Sequence, residues 1–275
     1  MKKVIVTNSG RGAGINFCKS LRLADEKIEL ICLDKDKYSM LASEADQLYY
    51  CPPATSDEYI PFLKNVIKET GADFLYPSKT NEDLWVISKH RDELGIKTFL
   101  PPDEEIQIYE DKFKTYNILK DAGIKVPYTR MINNENDLEN AIKDIKGGIW
   151  LREVIGCGGK GSIPTEDFEL ARAWINRFNG WGKFSASEVL SDKTATWSGI
   201  WNNGELVISQ IRKRLYWEYG YLTPSGVTGI TGAQITARDS NIDNIAMKAI
   251  KTISEKPHGI ISVDFTYDKE GVANI

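Results

Sequence analysis

Residues Gly156-Cys157-Gly158-Gly159-Lys160-Gly161 hold four glycines in six positions, directly after the apolar run Leu151-Arg152-Glu153-Val154-Ile155. A backbone with so few Cβ atoms can approach anionic oxygens closely, and its successive N–H groups can line a phosphate nest. Arg152 at the strand end and Lys160 in the loop add positive charge, and Ser162 closes the stretch. The pattern predicts a strand followed by a lid over the phosphates of a nucleoside triphosphate. It is not a Walker A loop, because no Gly-Lys-Ser/Thr follows a four-residue gap. A glycine-rich hairpin without a ligand is the simpler alternative.

The chain around this loop has 275 residues, enough for about two domains and a substantial core. A net charge of −4 argues against a partner held through nucleic-acid phosphates. Cys18, Cys32, Cys51 and Cys157 form no Cys-x-x-Cys pair, so neither a zinc site nor a disulfide framework is indicated. They read as reduced, mostly buried thiols of a cytoplasmic protein, with Cys157 in the loop open to oxidation. No window approaches the roughly 20 apolar residues of a membrane span, and Val4-Ile5-Val6 is too short for a signal peptide. With only His90 and His258 present, a histidine triad or histidine-rich metal site is disfavoured. Chemistry must rest on Arg, Lys, carboxylates and a metal.

Residues 1–100 alternate strand and helix: strands at 4–7, 30–33 and 74–76, helices at 15–23, 59–70 and 84–94. That rhythm predicts a doubly wound parallel sheet. Pro101-Pro102 marks a boundary, followed by a helix over 103–122, a strand at 126–131, a helix at 137–145 and the glycine-rich hairpin. A helix over 167–178 leads to a second boundary at Gly180-Trp181-Gly182. Strands at 185–189, 194–201 and 206–211, a helix at 241–254 and a hairpin of 260–267 with 272–275 complete the chain. The expected domains are therefore 1–100, 101–182 and 183–275.

Two further groups of residues are informative. Gly10-x-Gly12-x-Gly14 follows a strand and opens a helix, with Asp34 where a ribose-binding acid would sit. Its spacing departs from Gly-x-Gly-x-x-Gly, which makes a nicotinamide or flavin site the weaker reading. Arg212-Lys213-Arg214 ends a strand, so Arg212 and Arg214 share one face and Lys213 takes the other. Two guanidiniums on one face suit a γ-phosphate or a substrate carboxylate, and can stabilise charge that builds up during transfer. A solvated basic edge is the alternative.

In order along the chain, Asp111-Lys112 at a helix start, Gly123-Ile124 with Val126-Pro127, Arg152 before the glycine lid, and the strand ending Glu188-Val189-Leu190 form one pattern. The pattern resembles the ATP-grasp superfamily, in particular its carbamoyl-phosphate-synthase-like and carboxylate–amine ligase members, over essentially the whole chain. The resemblance implies an α/β and α+β chain: a doubly wound pre-ATP-grasp domain, then two lobes that clamp ATP. It implies ATP contacts from Lys112, Arg152, Gly156, Gly158, Gly159, Lys160, Gly161 and Ser162. It also implies that Glu188 and the backbone of Val189 and Leu190 read the adenine edge. Arg152 stands where the family usually has Lys, and can bind two phosphate oxygens at once. The acid expected on the ribose falls at Ala195, with Asp192 as the nearby substitute.

In the terminal hairpin, Asp264 lies among apolar neighbours and, if buried, needs a partner. If Tyr267 faces Val272, Asp264 faces Ile275. The family's remaining magnesium ligands, a Glu-x-Asn, would fall two and four places further on, so the chain reads as stopping short of them. The resemblance thus implies Mg2+ at Asp264 and small-molecule carboxylate and amine substrates, and the shared strand face makes Arg212 and Arg214 the candidate catalytic groups. The reaction implied is ATP-dependent C–N ligation through an acyl phosphate, releasing ADP and phosphate. Ligands of open sheets bind outside strand C-terminal ends, which points to Gly12 with Ser78, Asn81 and Glu82 for substrate. A homodimer is a further expectation. The alternatives are a non-catalytic nucleotide-binding or regulatory module, and a nicotinamide oxidoreductase.

Overall fold

The computed structural model describes residues 1–78, 81–159 and 161–275, Asn81 by its backbone alone. The chain divides into two compact units, Met1–Ile106 and Gln107–Ile275.

The first unit is the parallel sheet expected from the βα rhythm. Its elements are β1 (Lys2–Thr7), α1 (Gly12–Arg22), β2 (Ile28–Asp34), β3 (Gln47–Tyr50), α2 (Tyr59–Thr70), β4 (Phe74–Pro77), α3 (Asn81–Lys89), α4 (Arg91–Leu94) and β5 (Lys97–Thr98). Strand order is β3-β2-β1-β4-β5, with every pairing parallel. Both faces of a parallel sheet must be covered, and two apolar clusters do this. Val4, Val6, Cys18, Leu30 and Cys32 fill one side, and Ile5, Ile31, Leu33, Leu63 and Leu75 the other. The Cys18 and Cys32 sulfurs lie 3.7 Å apart as free thiols, Cys51 is also buried, and Cys157 is exposed.

The run from 103 to 122 is two helices, α5 (Asp103–Glu110) and α6 (Lys112–Asp121), not one. Asp111 interrupts them because its carboxylate accepts from the N–H groups of Phe113 and Lys114. It thereby satisfies two otherwise orphaned donors of the new helix start.

Two sheets follow. The first, in order β6-β9-β7-β8, contains β6 (Thr129–Ile132), β7 (Ile149–Glu153), β8 (Ile163–Thr165) and β9 (Phe184–Glu188). Helices α7 (Glu135–Asp144) and α8 (Phe168–Arg177) cover one face, burying Leu138, Ala141, Ala171 and Ile175 against Ile149, Leu151 and Ala186. The second sheet, in order β12-β11-β10-β13-β14, contains β10 (Thr194–Asn202), β11 (Glu205–Trp217), β12 (Thr231–Ala237), β13 (Gly259–Tyr267) and β14 (Ala273–Asn274). Its α9 (Ser240–Ile253) starts on an Asp239 cap and buries Ile242, Ala246 and Ile250 against Trp197, Trp201, Ile211, Ile261 and Phe265. Strand β11 runs well past the expected end at 211, and β12 was not anticipated.

The terminal hairpin differs from expectation by one residue. Tyr267 pairs with Ala273 and Thr266 with Asn274, which brings Phe265 rather than Asp264 level with Ile275. The reason is local. Asp268 N–H donates to the Val272 carbonyl at 2.9 Å, and its Oδ1 accepts from the N–H groups of Glu270 and Val272. The loop is thereby one residue longer. Its other carboxylate oxygen accepts from Lys125 Nζ at 2.6 Å, and that bond first, with the backbone donors, lowers the Asp268 pKa to about 2. A carboxylate lowered in the fold stabilises it above its ordinary pKa and loses that contribution as pH falls through the lowered value. Asp268→Asn is therefore expected to remove a component of acid unfolding between about pH 4 and pH 2, read as Tm against pH.

Candidate functional site

The exposed face of the β10–β13 sheet collects the cationic groups. Thr196 stands between Arg212 on β11 and Asp264 on β13, directly paired with each. Facing residues share a side of the sheet, so all three rise from the face away from α9. Arg214 joins them. Its guanidinium donates to Thr194 Oγ1 at 2.6 Å, Thr196 Oγ1 at 3.1 Å and Thr231 Oγ1 at 3.0 Å, and stacks on the Trp217 ring at 3.6 Å. Lys213 takes the opposite face, over Tyr267, as strand alternation predicts.

Asp264 is not the buried acid that its apolar sequence neighbours suggested. Those neighbours point into the core, whereas its own side chain is 75% exposed. It accepts from Thr196 Oγ1 at 2.6 Å and lies 3.9 Å from Arg214. Arg214, Thr196 and Asp264 thus form one lattice, and Arg212, level with Thr196 on the same face, reaches instead to Ser198 Oγ at 3.1 Å.

The four-stranded sheet adds two more cations. Arg152 pairs with Ser185, and Trp150 with Ser187, on the side of the sheet away from α7 and α8. Burial pulls the Arg152 pKa below its ordinary value, and the Asp264 charge pushes back. Arg152 Nε is buried without a hydrogen-bond partner among the described residues. A desolvated, unpaired guanidinium N–H is costly unless something accepts from it, so this N–H is free to donate to an anion. Lys112, the first residue of α6, donates from Nζ to the Gly156 carbonyl at 2.6 Å and the Val154 carbonyl at 3.4 Å. Burial first, then the Arg152 charge, lowers its pKa. An arriving anion would relieve both cations.

The glycine loop rests on the second sheet's lobe. A Cβ on Gly159, which has φ +68°, would lie 2.0 Å from the Val227 carbonyl oxygen, so no other residue allows this approach. Ser162 Oγ donates to Ser225 Oγ at 2.9 Å, and Trp174 Nε1 to the Gly161 carbonyl at 2.9 Å. Gly156 and Gly161 pack over the Glu153 side chain. Lys160 lies outside the described residues.

Glu188 departs from expectation. It pairs with Ile149, a core residue, and so leaves from the helix-covered face rather than the Arg152 face. Its carboxylate accepts from the Tyr128 N–H at 2.8 Å and its own N–H donates to the Tyr128 carbonyl. The side chain is a backbone clamp, and any adenine contact here falls to the main chain from Glu188 through Val189 to Leu190. Ala195 is fully buried in the α9 core and Asp192 is exposed.

In the first unit, Gly12 opens α1 after β1, and Ser78 follows β4. The two strands are neighbours (Thr7 pairs with Pro77), and the chain leaves β1 for β2 on one side and returns to β4 on the other. Such a switch point forms a crevice at the strand ends. Ser78 is buried and Glu82 is exposed, paired with Lys35 at 3.3 Å. Lys79, Thr80 and the Asn81 side chain lie outside the described residues.

The nicotinamide alternative loses its acid. Asp34 is fully buried, with one oxygen accepting from Gly10 N–H at 3.0 Å and the other from Asp36 N–H at 2.9 Å. Gly10 and Gly14 are there for packing, since a Cβ would lie 2.0 Å from the Ser39 carbonyl oxygen and 2.5 Å from that of Asn8.

No family model matches the chain. It is 24% identical over 159 residues, 56% of its length, to a probable alpha-L-glutamate ligase of Legionella pneumophila. In structure it resembles the L-amino acid ligase of Bacillus licheniformis, with a TM-score of 0.73 at 14% identity, covering 100% of this chain and 65% of that one. It also resembles the biotin carboxylase domain dimer of Hydrogenobacter thermophilus 2-oxoglutarate carboxylase, in complex with MgADP, ADP and bicarbonate. There the TM-score is 0.72 at 18% identity, over 99% of this chain and 62% of the other. The chain has the ATP-grasp fold.

At these identities the structural likeness is one of fold. The chain spans about half the length of the curated relatives it matches. On this ATP-grasp frame, sequence reasoning missed a set of small polar groups: Ser185 and Ser187 beside Arg152, and Thr194, Thr196 and Ser198 beneath Arg212 and Arg214. Their alternation with Ala186, Ala195 and Trp197 along β9 and β10 was the signal that could have found them.

Proposed function

We propose that this ATP-grasp chain is an ATP-dependent ligase that joins a carboxylate to an amine or other nitrogen nucleophile through an acyl phosphate. The observation that carries the reading is a chain of charges: Lys112, bonded to the Gly156 carbonyl, feels Arg152, Arg152 and Arg214 both feel one outward carboxylate, Asp264, and Arg212 acts on Arg214. Four cations supply positive charge for a triphosphate, and Arg152 and Arg212, each with a buried Nε that has no partner among the described residues, are the ones an anion would relieve.

Asp264 fits one magnesium ligand position. It is exposed on the cationic face, and Mg2+ takes one or two carboxylates with phosphate oxygens and water. Among the described residues no group of three acidic, His or Cys side chains forms a fuller cage. When bound, the ion neutralises phosphate charge and orients the oxygens for in-line transfer.

The chain's own residues do the rest. Lys112 and Arg152 hold the phosphates, with the lid backbone from Gly156 through Gly158, Gly159 and Gly161 to Ser162, and Lys160. Arg212 and Arg214 neutralise the transferring phosphoryl group and the carboxylate that attacks it. That attack forms a carboxyl O–P bond and breaks the bond from the γ-phosphorus to ADP. The nitrogen nucleophile then attacks the acyl carbon and expels phosphate, giving up a proton to it or to solvent. Closing the lid on Ser225 and Val227 keeps water from the acyl phosphate. Residues 101–182 and 183–275 are the two lobes in this reading, and Gly12, Ser78, Asn81 and Glu82 contact a substrate. A cytoplasmic setting and a homodimer, as in the carboxylase-domain neighbour, belong to the same proposal.

Hydroxylamine tests it as a generic nitrogen nucleophile. With Mg-ATP and a panel of small carboxylic acids, hydroxamate and ADP are expected in equal amounts. ADP released with no hydroxamate from any acid would contradict acyl transfer.

A further inference from the structure

The cationic face of the second sheet continues into an apolar row. Ile200 on β10 pairs directly with Ile208 on β11 and Ile260 on β13, all on the face away from the Trp197 core. Ile208 is 61% exposed and Ile260 38% exposed. One row nearer the cations, Ser198 stands between Gln210 and Ser262, with its hydroxyl 2.9 Å from that of Ser262. The Arg212 guanidinium reaches over this row and donates to Ser198 Oγ at 3.1 Å. Its Nε is buried without a hydrogen-bond partner among the described residues. Successive same-face rows are about 7 Å apart along a strand. An acid whose carboxylate meets the Arg212 guanidinium at the Ser198 row therefore extends its substituent toward the isoleucine row.

We propose that Ile200, Ile208 and Ile260 form the side-chain subsite for the carboxylate substrate, and that this substrate is a small acid with an apolar group on its α- or β-carbon. The inference rests on the ligase reading. Arg212 takes the carboxylate, and the isoleucine row takes the apolar group. A second charge at that end would meet three aliphatic side chains that offer it no hydrogen-bond donor, so it gains none of the apolar contact that a hydrocarbon group gains there. Discrimination against dicarboxylic acids is therefore built into the sheet.

The test measures thermal stability with saturating Mg-ADP and a titration of propionate, 3-methylbutyrate or glutarate. The half-saturating concentration is expected to fall about fourfold for each additional buried methylene, with glutarate the weakest ligand. Ile208→Asn is expected to flatten the series while leaving the Mg-ADP shift intact. Ile208→Ala, which removes area without adding a polar group, should weaken it partway. A wild-type series that ignores apolar size, or an unchanged series in Ile208→Asn, overturns the subsite while leaving nucleotide binding in place. Loss of the Mg-ADP shift in the wild type would instead overturn the ligase reading, and the subsite with it.

Discussion

Arg152→Ala is expected to lower kcat/KM for ATP-dependent turnover by about 30- to 1,000-fold, equivalent to roughly 2–4 kcal/mol of transition-state stabilisation. The size follows from the site. The side chain is half-buried, has a buried Nε with no partner among the described residues, and feels the Asp264 carboxylate across the cationic face. In a low-dielectric setting a preorganised donor of this kind acts strongly on developing phosphate charge. Arg152→Lys keeps the charge but loses the planar fork, and should recover part of the loss. The stability of the free protein separates this role from a structural one. Removing a desolvated, unpaired group should leave Tm unchanged or raised, whereas a residue holding the fold together would lower Tm along with turnover.

Trp197→Ala is expected to destabilise the second unit by about 3–5 kcal/mol. Trp197 is fully buried against α9, its ring lies 6.4 Å from that of Trp201, and its Nε1 donates to Asp243 at 2.8 Å. Truncation removes the largest kind of core side chain and leaves the Asp243 carboxylate short of a donor. Tm should fall by roughly 10 °C for a unit of this size. Val207→Ala, at a position 63% exposed on β11, should change stability by less than about 0.5 kcal/mol. Because Trp197 and Thr196 are adjacent on β10, the loss should carry into nucleotide binding. It does so through the sheet that presents Thr196 and Asp264, not through contact with ligand.

The parts of this architecture legible in the sequence were those where a local signal and the tertiary environment agree. The βα rhythm of the first unit, α2 with its Gly71 stop and the shared face of Arg212 and Arg214 follow from periodicity and turn chemistry alone. The missed strand β12, Thr-Gly-Ala-Gln-Ile-Thr-Ala, is a half-exposed edge strand with one large apolar residue, so it carries little period-2 contrast. The Asp111 break between α5 and α6 reads as continuous helix until its side chain is seen to cap. Asp264 reads from its neighbours along the chain as an acid that needs a partner if buried, and alternation turns it outward; Glu188, at the end of β9, leaves from the helix-covered face and clamps the Tyr128 N–H, which neighbours in sequence do not reveal. The hairpin register turned on one aspartate that accepts from two loop amides.

The central claim is that the cationic face beneath the glycine lid binds Mg-ATP. Its most direct test is the thermal stability of the chain with Mg-ATP and, separately, NADH, in the wild type, Lys112→Ala and Arg152→Ala. At a hundredfold excess over Kd, Mg-ATP should stabilise the wild type by about 2.7 kcal/mol, a rise of roughly 5–10 °C. Both variants should lose most of that rise, and NADH should produce none. A Mg-ATP shift retained in both variants, or a shift with NADH alone, would contradict the account.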